Sequence, residues 1–70
     1  MNPLIHIRRK VFQVSQLEMA CIAGVSQATW SRWETGHHSP KLENIRAMRA
    51  EARRRKLPWE DDWFLTLEAA

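Results

Sequence analysis

Apolar and polar positions along this chain sort into short helical periods. Met19, Ala20 and Ala23 stand at i, i+1 and i+4, which predicts one buried face on a helix over Gln16–Ala23. Trp30 and Trp33, at i and i+3, predict a buried stripe on a second helix over Gln27–Thr35. Ala20 is small enough to let the two helices approach closely. Gly24 between them suits the left-handed conformation that ends a helix. Ser26 then suits the N-cap of the second helix, and Ser15-Gln16-Leu17-Glu18 fits the capping box of the first. Upstream, Asn2-Pro3 is a helix start, with Leu4, Ile7 or Val11, and Phe12 facing inward up to about Phe12. Downstream, 36–39 reads as a loop, with Ser39 as cap and Pro40 at the first helical position. A long helix from about Lys41 to Arg55 follows, with Leu42, Ile45 and Met48 as its core stripe. Lys56-Leu57-Pro58 breaks the pattern, and Trp59–Leu67 predicts a fifth short helix with Glu60, Asp61 and Asp62 in its first turn. No strand pattern, repeat or low-complexity stretch occurs. The expectation is an all-α fold, a compact bundle of about five short helices with a central helix-turn-helix.

Charge divides the chain in two. All 11 Lys and Arg lie in residues 1–56, beside only Glu18, Glu34, Glu43 and Glu51. Residues 57–70 carry Glu60, Asp61, Asp62 and Glu68 and no base. The division reads as a basic binding domain over 1–56 and an acidic, tryptophan-containing tail over 57–70. A basic body fits a polyanionic partner. At 70 residues the chain makes one small domain. The single Cys21 excludes a disulfide framework and a cysteine-based zinc site, and reads as an inert, partly buried apolar residue. No apolar run approaches a membrane span and no signal-peptide pattern opens the chain, so the expected location is the cytoplasm, away from membranes. Neither a catalytic triad, nor a paired-carboxylate cleft, nor a glycine-rich phosphate loop is present, so the chain does not read as an enzyme, and it calls for no cofactor, metal or small-molecule ligand. The adjacent His37 and His38 point in different directions and suit a loop facing phosphate or water.

Several segments together resemble the lambda-repressor-like helix-turn-helix family, the Cro/repressor or xenobiotic-response-element type of DNA-binding domain. These are V-S-Q-x-x-x-A at Val14–Ala20, G-V-S at Gly24–Ser26, S-R-W-E at Ser31–Glu34, Gly36, Pro40 and L-E-N-I at Leu42–Ile45. The resemblance covers roughly residues 4–56. Two departures, Ala23 where a large aliphatic is usual and Trp30 where Ile or Val is usual, read as one compensated exchange of volume. Lys41 replaces the Ser or Thr that often caps the fourth helix.

Helical spacing puts Gln27, Ala28, Ser31 and Arg32 opposite Trp30 and Trp33. The resemblance implies that this second helix enters the major groove, with Gln27, Ala28 and Arg32 at base-reading positions and Ser31 beside them. It also implies that Gln16 meets a phosphate. Ser26 and the free amides beside it make an anion site, and Arg9, Thr35, His37 and Lys41 flank the groove. Arg46, Arg49 and Arg53, extended by Arg54, Arg55 and Lys56, read as a solvated or internally paired face, with Glu51 and the acidic tail as partners. Trp59, Trp63, Phe64 and Leu67 form a stripe that either closes the core or makes a two-fold dimer contact. The expected function is a sequence-specific regulator of transcription. It would be a repressor, binding double-stranded DNA as a homodimer on an inverted repeat and regulating its own phage or mobile-element operon. The alternative is an antitoxin-like module whose helix-turn-helix is coupled to a partner protein.

Overall fold

Each helix start and stop has an identifiable local cause. The computed structural model describes residues 2–64, and all its regular elements are helical. Helix α1, Pro3–His6, begins where the Asn2 side chain accepts the Leu4 amide and Pro3 fills the first turn. It runs directly into a π-helical segment, Ile7–Phe12, which Gln13 closes in the left-handed region at φ 57°. In an α-helix Phe12 would sit roughly 140° around the axis from Ile7. The wider π turn lets Ile7, Val11 and Phe12 all reach the core.

Helix α2, Gln16–Ala23, starts on Ser15, whose Oγ accepts the Glu18 amide at 3.1 Å. Only this half of the predicted capping box forms, because the Glu18 carboxylate lies 3.5 Å from Arg55 Nη2. Gly24, at φ 79°, ends α2, with Val25 N–H bonded to the Ala20 carbonyl and Gly24 N–H to that of Cys21. Helix α3, Gln27–Glu34, follows at once, capped by Ser26 Oγ on the Thr29 amide at 3.2 Å. The same pair of bonds ends α3, from His37 to Arg32 and from Gly36 to Trp33.

Helix α4, Leu42–Arg54, departs from expectation at its start. Lys41, not Ser39, is the N-cap, and Asn44 Oδ1 accepts the Lys41 amide at 3.0 Å. Leu42 does not join the core and is 61% exposed. The inward stripe is Ile45, Met48 and Ala52, and Leu42 lies roughly 90° round the helix from its centre. The predicted fifth helix is also corrected. Trp59 and Glu60 precede a 3-10 turn, Asp61–Phe64, and the remainder to Leu67 lies outside the described residues.

Trp30, Leu4, Ile7, Met19 and Met48 are the largest fully enclosed side chains. Around them pack Val11, Phe12, Ala20, Ala23, Trp33, Ala52 and Phe64, so the C-terminal turn shares the core of the helices. Cys21, expected to be partly buried, is exposed, roughly 150° round α2 from its buried face. Helix α2 packs against α3, α4 and the π segment, which makes it the scaffold on which α3 sits. The radius of gyration is 10.8 Å, close to the ~11 Å of a folded chain this long. Among the described residues no helix is long and apolar enough to cross a membrane.

Candidate nucleic-acid interface

Two indoles orient α3. Trp30 and Trp33 are buried on one side, in edge-to-face contact at 5.5 Å between ring centroids. The opposite side therefore faces solvent, and Gln27, Ala28 and Arg32 are exposed there while Ser31 is half-buried. The helix that presents them is held at its C-terminal end. Asn2 Nδ2 donates to the Trp33 and Glu34 carbonyls at 2.7 and 3.0 Å, tying the C-terminus of α3 to the start of α1.

A second tie centres on Glu34. Its carboxylate accepts from Arg8 Nε and Nη2, from Gln16 Nε2 and from Trp30 Nε1. Arg8 and Glu34 side chains are only 12% and 8% exposed. Burial works to push the Glu34 carboxyl up, but the bonds from Arg8, Trp30 and Gln16, with the charge of Arg8, outweigh it. The result lies below the usual carboxylate range. The same hydrogen bond raises the Arg8 guanidinium. Arg8 Nη1 also reaches the Val14 carbonyl at 3.4 Å. One carboxylate on α3 thus joins the π segment, the start of α2 and α3 itself.

This geometry places the predicted phosphate-facing residues unevenly. Gln16 is half-buried, and its amide is engaged by Glu34 at 3.1 Å rather than held out to solvent. Ser26 is exposed at the start of α3, its hydroxyl shared with the Thr29 amide and hydroxyl. Thr35 Oγ1 donates to the Arg32 carbonyl at 3.0 Å and stands 2.8 Å from His37 Nδ1, so the loop after α3 is pinned to the helix. Arg9, His37 and Lys41 are all exposed. An open cleft of about 420 Å³ between α3 and the start of α4 brings Arg32 and Lys41 to a common rim, with Thr29, His38 and Ser39. Thr29 was not expected there, whereas His38 belongs to the loop read as facing phosphate or water. The cleft is braced by Asn44, whose Nδ2 donates to the Ala23 carbonyl at 3.0 Å while its Oδ1 caps α4.

Of the arginines from Arg46 to Arg55, Arg49, Arg54 and Arg55 are paired within the chain, while Arg46 and Arg53 are exposed. Glu51 accepts from both Arg54 and Arg55, which lowers its carboxyl to about 2, and Arg49 lies 3.5 Å from Asp61. Of the residues predicted for a dimer contact, Phe64 is instead buried in its own core at 4% exposure, because the 3-10 turn aims it inward. Trp59 and Trp63 are half-buried, 5.3 Å apart edge to face, and Leu67 lies outside the described residues.

The Glu34 cluster had a partial signal, the i, i+4 spacing of Trp30 and Glu34. The Arg8 partner had none, since it lies 26 residues away in sequence. Asn44 sits three residues after a cap, the position from which a side chain reaches back to the cap amide. No protein-family model matches this chain, and no curated protein and no solved structure matches it.

Proposed function

We propose that the chain regulates transcription by binding double-stranded DNA, with α2 and α3 as a helix-turn-helix and α3 as the reading helix. The carrying observation is the two-sidedness of α3. Gln27, Ala28 and Arg32 are exposed on a helix whose Trp30 and Trp33 are buried and whose end is fixed by Asn2 and Glu34. A rigid helix of that kind reads base edges without an ordering cost at the moment of binding. Gln27 offers a bidentate pair to adenine, Arg32 to guanine, and the Ala28 methyl a contact to a thymine methyl. Ser26 and the first amides of α3 meet one phosphate, and Arg9, Thr35, His37 and Lys41 flank the same groove. Gln16 serves through Glu34, which holds its amide at the start of α2.

The sequence resemblance to lambda-repressor-like domains supports the same reading. On this reading the domain occupies promoter DNA as a repressor, and two copies on an inverted repeat place their reading helices about one turn of DNA apart. The operon regulated would include its own gene, in a phage or other mobile element.

Selection from a pool of randomised duplexes tests the proposal. Enrichment of one inverted repeat is the expected outcome. A final pool as random as the first refutes sequence reading.

A further inference from the structure

The two adjacent histidines after α3 are not equivalent. His37 Nδ1 stands 2.8 Å from Thr35 Oγ1, and the His37 backbone N–H bonds to the Arg32 carbonyl at 3.0 Å. His37 is thereby tied to the end of α3 and does not line the cleft between α3 and the start of α4. His38 does line it, and is exposed there. The charged groups that share the lining are Arg32 from α3, and Lys41 and Glu43 at the start of α4, so two cations stand against one carboxylate. The side chains of Thr29 and Ser39 belong to the same lining. Ser26 Oγ donates to Thr29 Oγ1 at 3.0 Å, which leaves the Thr29 hydroxyl proton to be donated in turn.

An open cleft of cations and hydroxyls suits an anionic oxygen group. A strand whose base meets Arg32 carries its backbone past the same rim, where Lys41 stands. Among the groups that would then surround a phosphate, only an imidazole ordinarily changes charge between pH 5 and 8. We propose that His38 holds a backbone phosphate in this cleft as an imidazolium, so that DNA binding takes up a proton and tightens in acid. The proposal rests on the DNA-binding reading above and adds to it a regulation by pH. A phosphate seated against the ring stabilises the charged imidazole, and the charged imidazole holds the phosphate, one coupling seen from either side. Because the contact is to the backbone, the effect is the same for every sequence.

Anisotropy titrations of a random-sequence duplex at pH 6 and pH 8 test this with the wild-type chain, His38→Ala, His38→Arg and His37→Ala. The wild-type chain binds about three- to tenfold more tightly at pH 6, with a salt slope steeper by about one. His38→Ala binds about equally at the two pH values. His38→Arg keeps its charge throughout, so at pH 8 it binds about as the wild-type chain does at pH 6. His37→Ala retains the gain in acid. A gain that survives in His38→Ala or vanishes in His37→Ala would overturn the proposal and leave DNA binding standing. So would a wild-type chain with equal affinity at both pH values, or a His38→Arg no tighter than wild type at pH 8. A wild-type chain that binds no duplex at either pH would overturn the proposal and the DNA-binding reading together. Since the duplex is of random sequence, none of these outcomes depends on base reading by α3, which the duplex selection tests.

Discussion

The indole Nε1 of Trp30 donates to the carboxylate of Glu34 one turn further along α3, inside a cluster that Arg8 and Gln16 complete. Trp30 is fully enclosed, so its single polar atom needs a partner, and Glu34 supplies one. Glu34 is nearly buried, so its charge needs a counter-charge, and Arg8 supplies that. The two requirements meet at one carboxylate and fix α3 against the rest of the domain.

Replacing Trp30 with Phe removes the N–H and part of the ring volume together. Loss of a hydrogen bond to a charged acceptor, with some cavity added, destabilises by about 2–4 kcal/mol. Urea unfolding of the variant measures it. A double-mutant cycle with Glu34→Gln should show coupling of about 1 kcal/mol or more, since the two side chains touch.

The pH dependence of stability carries the signature of Glu34. Its carboxyl is depressed in the folded chain, so its contribution is fully present above the ordinary carboxylate pKa and is lost as pH falls through the folded value. Glu34→Gln leaves Arg8 almost buried and unpaired, at a cost of about 3 kcal/mol near neutrality. The gap between wild type and variant should narrow as pH is lowered from about 5 toward 3. Subtracting the two curves cancels the half-buried Glu51, which also titrates low. A gap constant over that range would refute the assignment.

Much of this arrangement was legible in the sequence, and the parts that were not have a common cause. Ser15, Gly24 and Ser26 mark the ends of α2 and α3 through bonds to neighbours a few residues away, and Trp30 and Trp33 follow a local period. The cap of α4 differs from the expected Ser39, although the helix starts within one residue of expectation, because Asn44 caps Lys41 and the stronger local pattern Ser39-Pro40 goes unused. Leu42 continues the i, i+3, i+6 spacing of Ile45 and Met48, but that spacing drifts about 60° per step and carries it off the inward face. The Arg8–Glu34 pair and the Asn44–Ala23 bond join residues 26 and 21 positions apart, and no local rule anticipates either.

Asn44→Ala removes the cap of α4 and the tie to Ala23 at once. The expected loss is about 1–2 kcal/mol, read from the shift in thermal unfolding. In duplex binding it should lower affinity for both preferred and scrambled sequences, and more for the preferred one, because the cleft it braces carries the flanking Lys41 and the base-reading Arg32 on a common rim. Unchanged affinity for both duplexes would contradict that placement.

Lys56 ends α4 in the left-handed region at φ 60°, with Leu57 N–H bonded to the Ala52 carbonyl at 2.8 Å. Gly24 and Gly36 occupy the matching positions after α2 and α3. Lys56→Gly therefore relieves a side chain where glycine carries no steric cost, and should stabilise the chain by about 0.5–1 kcal/mol. Chemical denaturation of the pair decides it, and a less stable variant would contradict the argument.

The most direct test of sequence reading by α3 is a fluorescence-anisotropy titration at physiological salt. It compares the selected inverted repeat with a scrambled duplex of equal composition, for the wild-type chain, Arg32→Ala and Lys41→Ala. The wild-type chain should prefer the inverted repeat by about a thousandfold or more. Arg32→Ala should lose about 1–3 kcal/mol on that duplex alone. Lys41→Ala should weaken both duplexes alike and lower the salt slope by about one. Equal, weak binding to both duplexes, unchanged by Arg32→Ala, would contradict it.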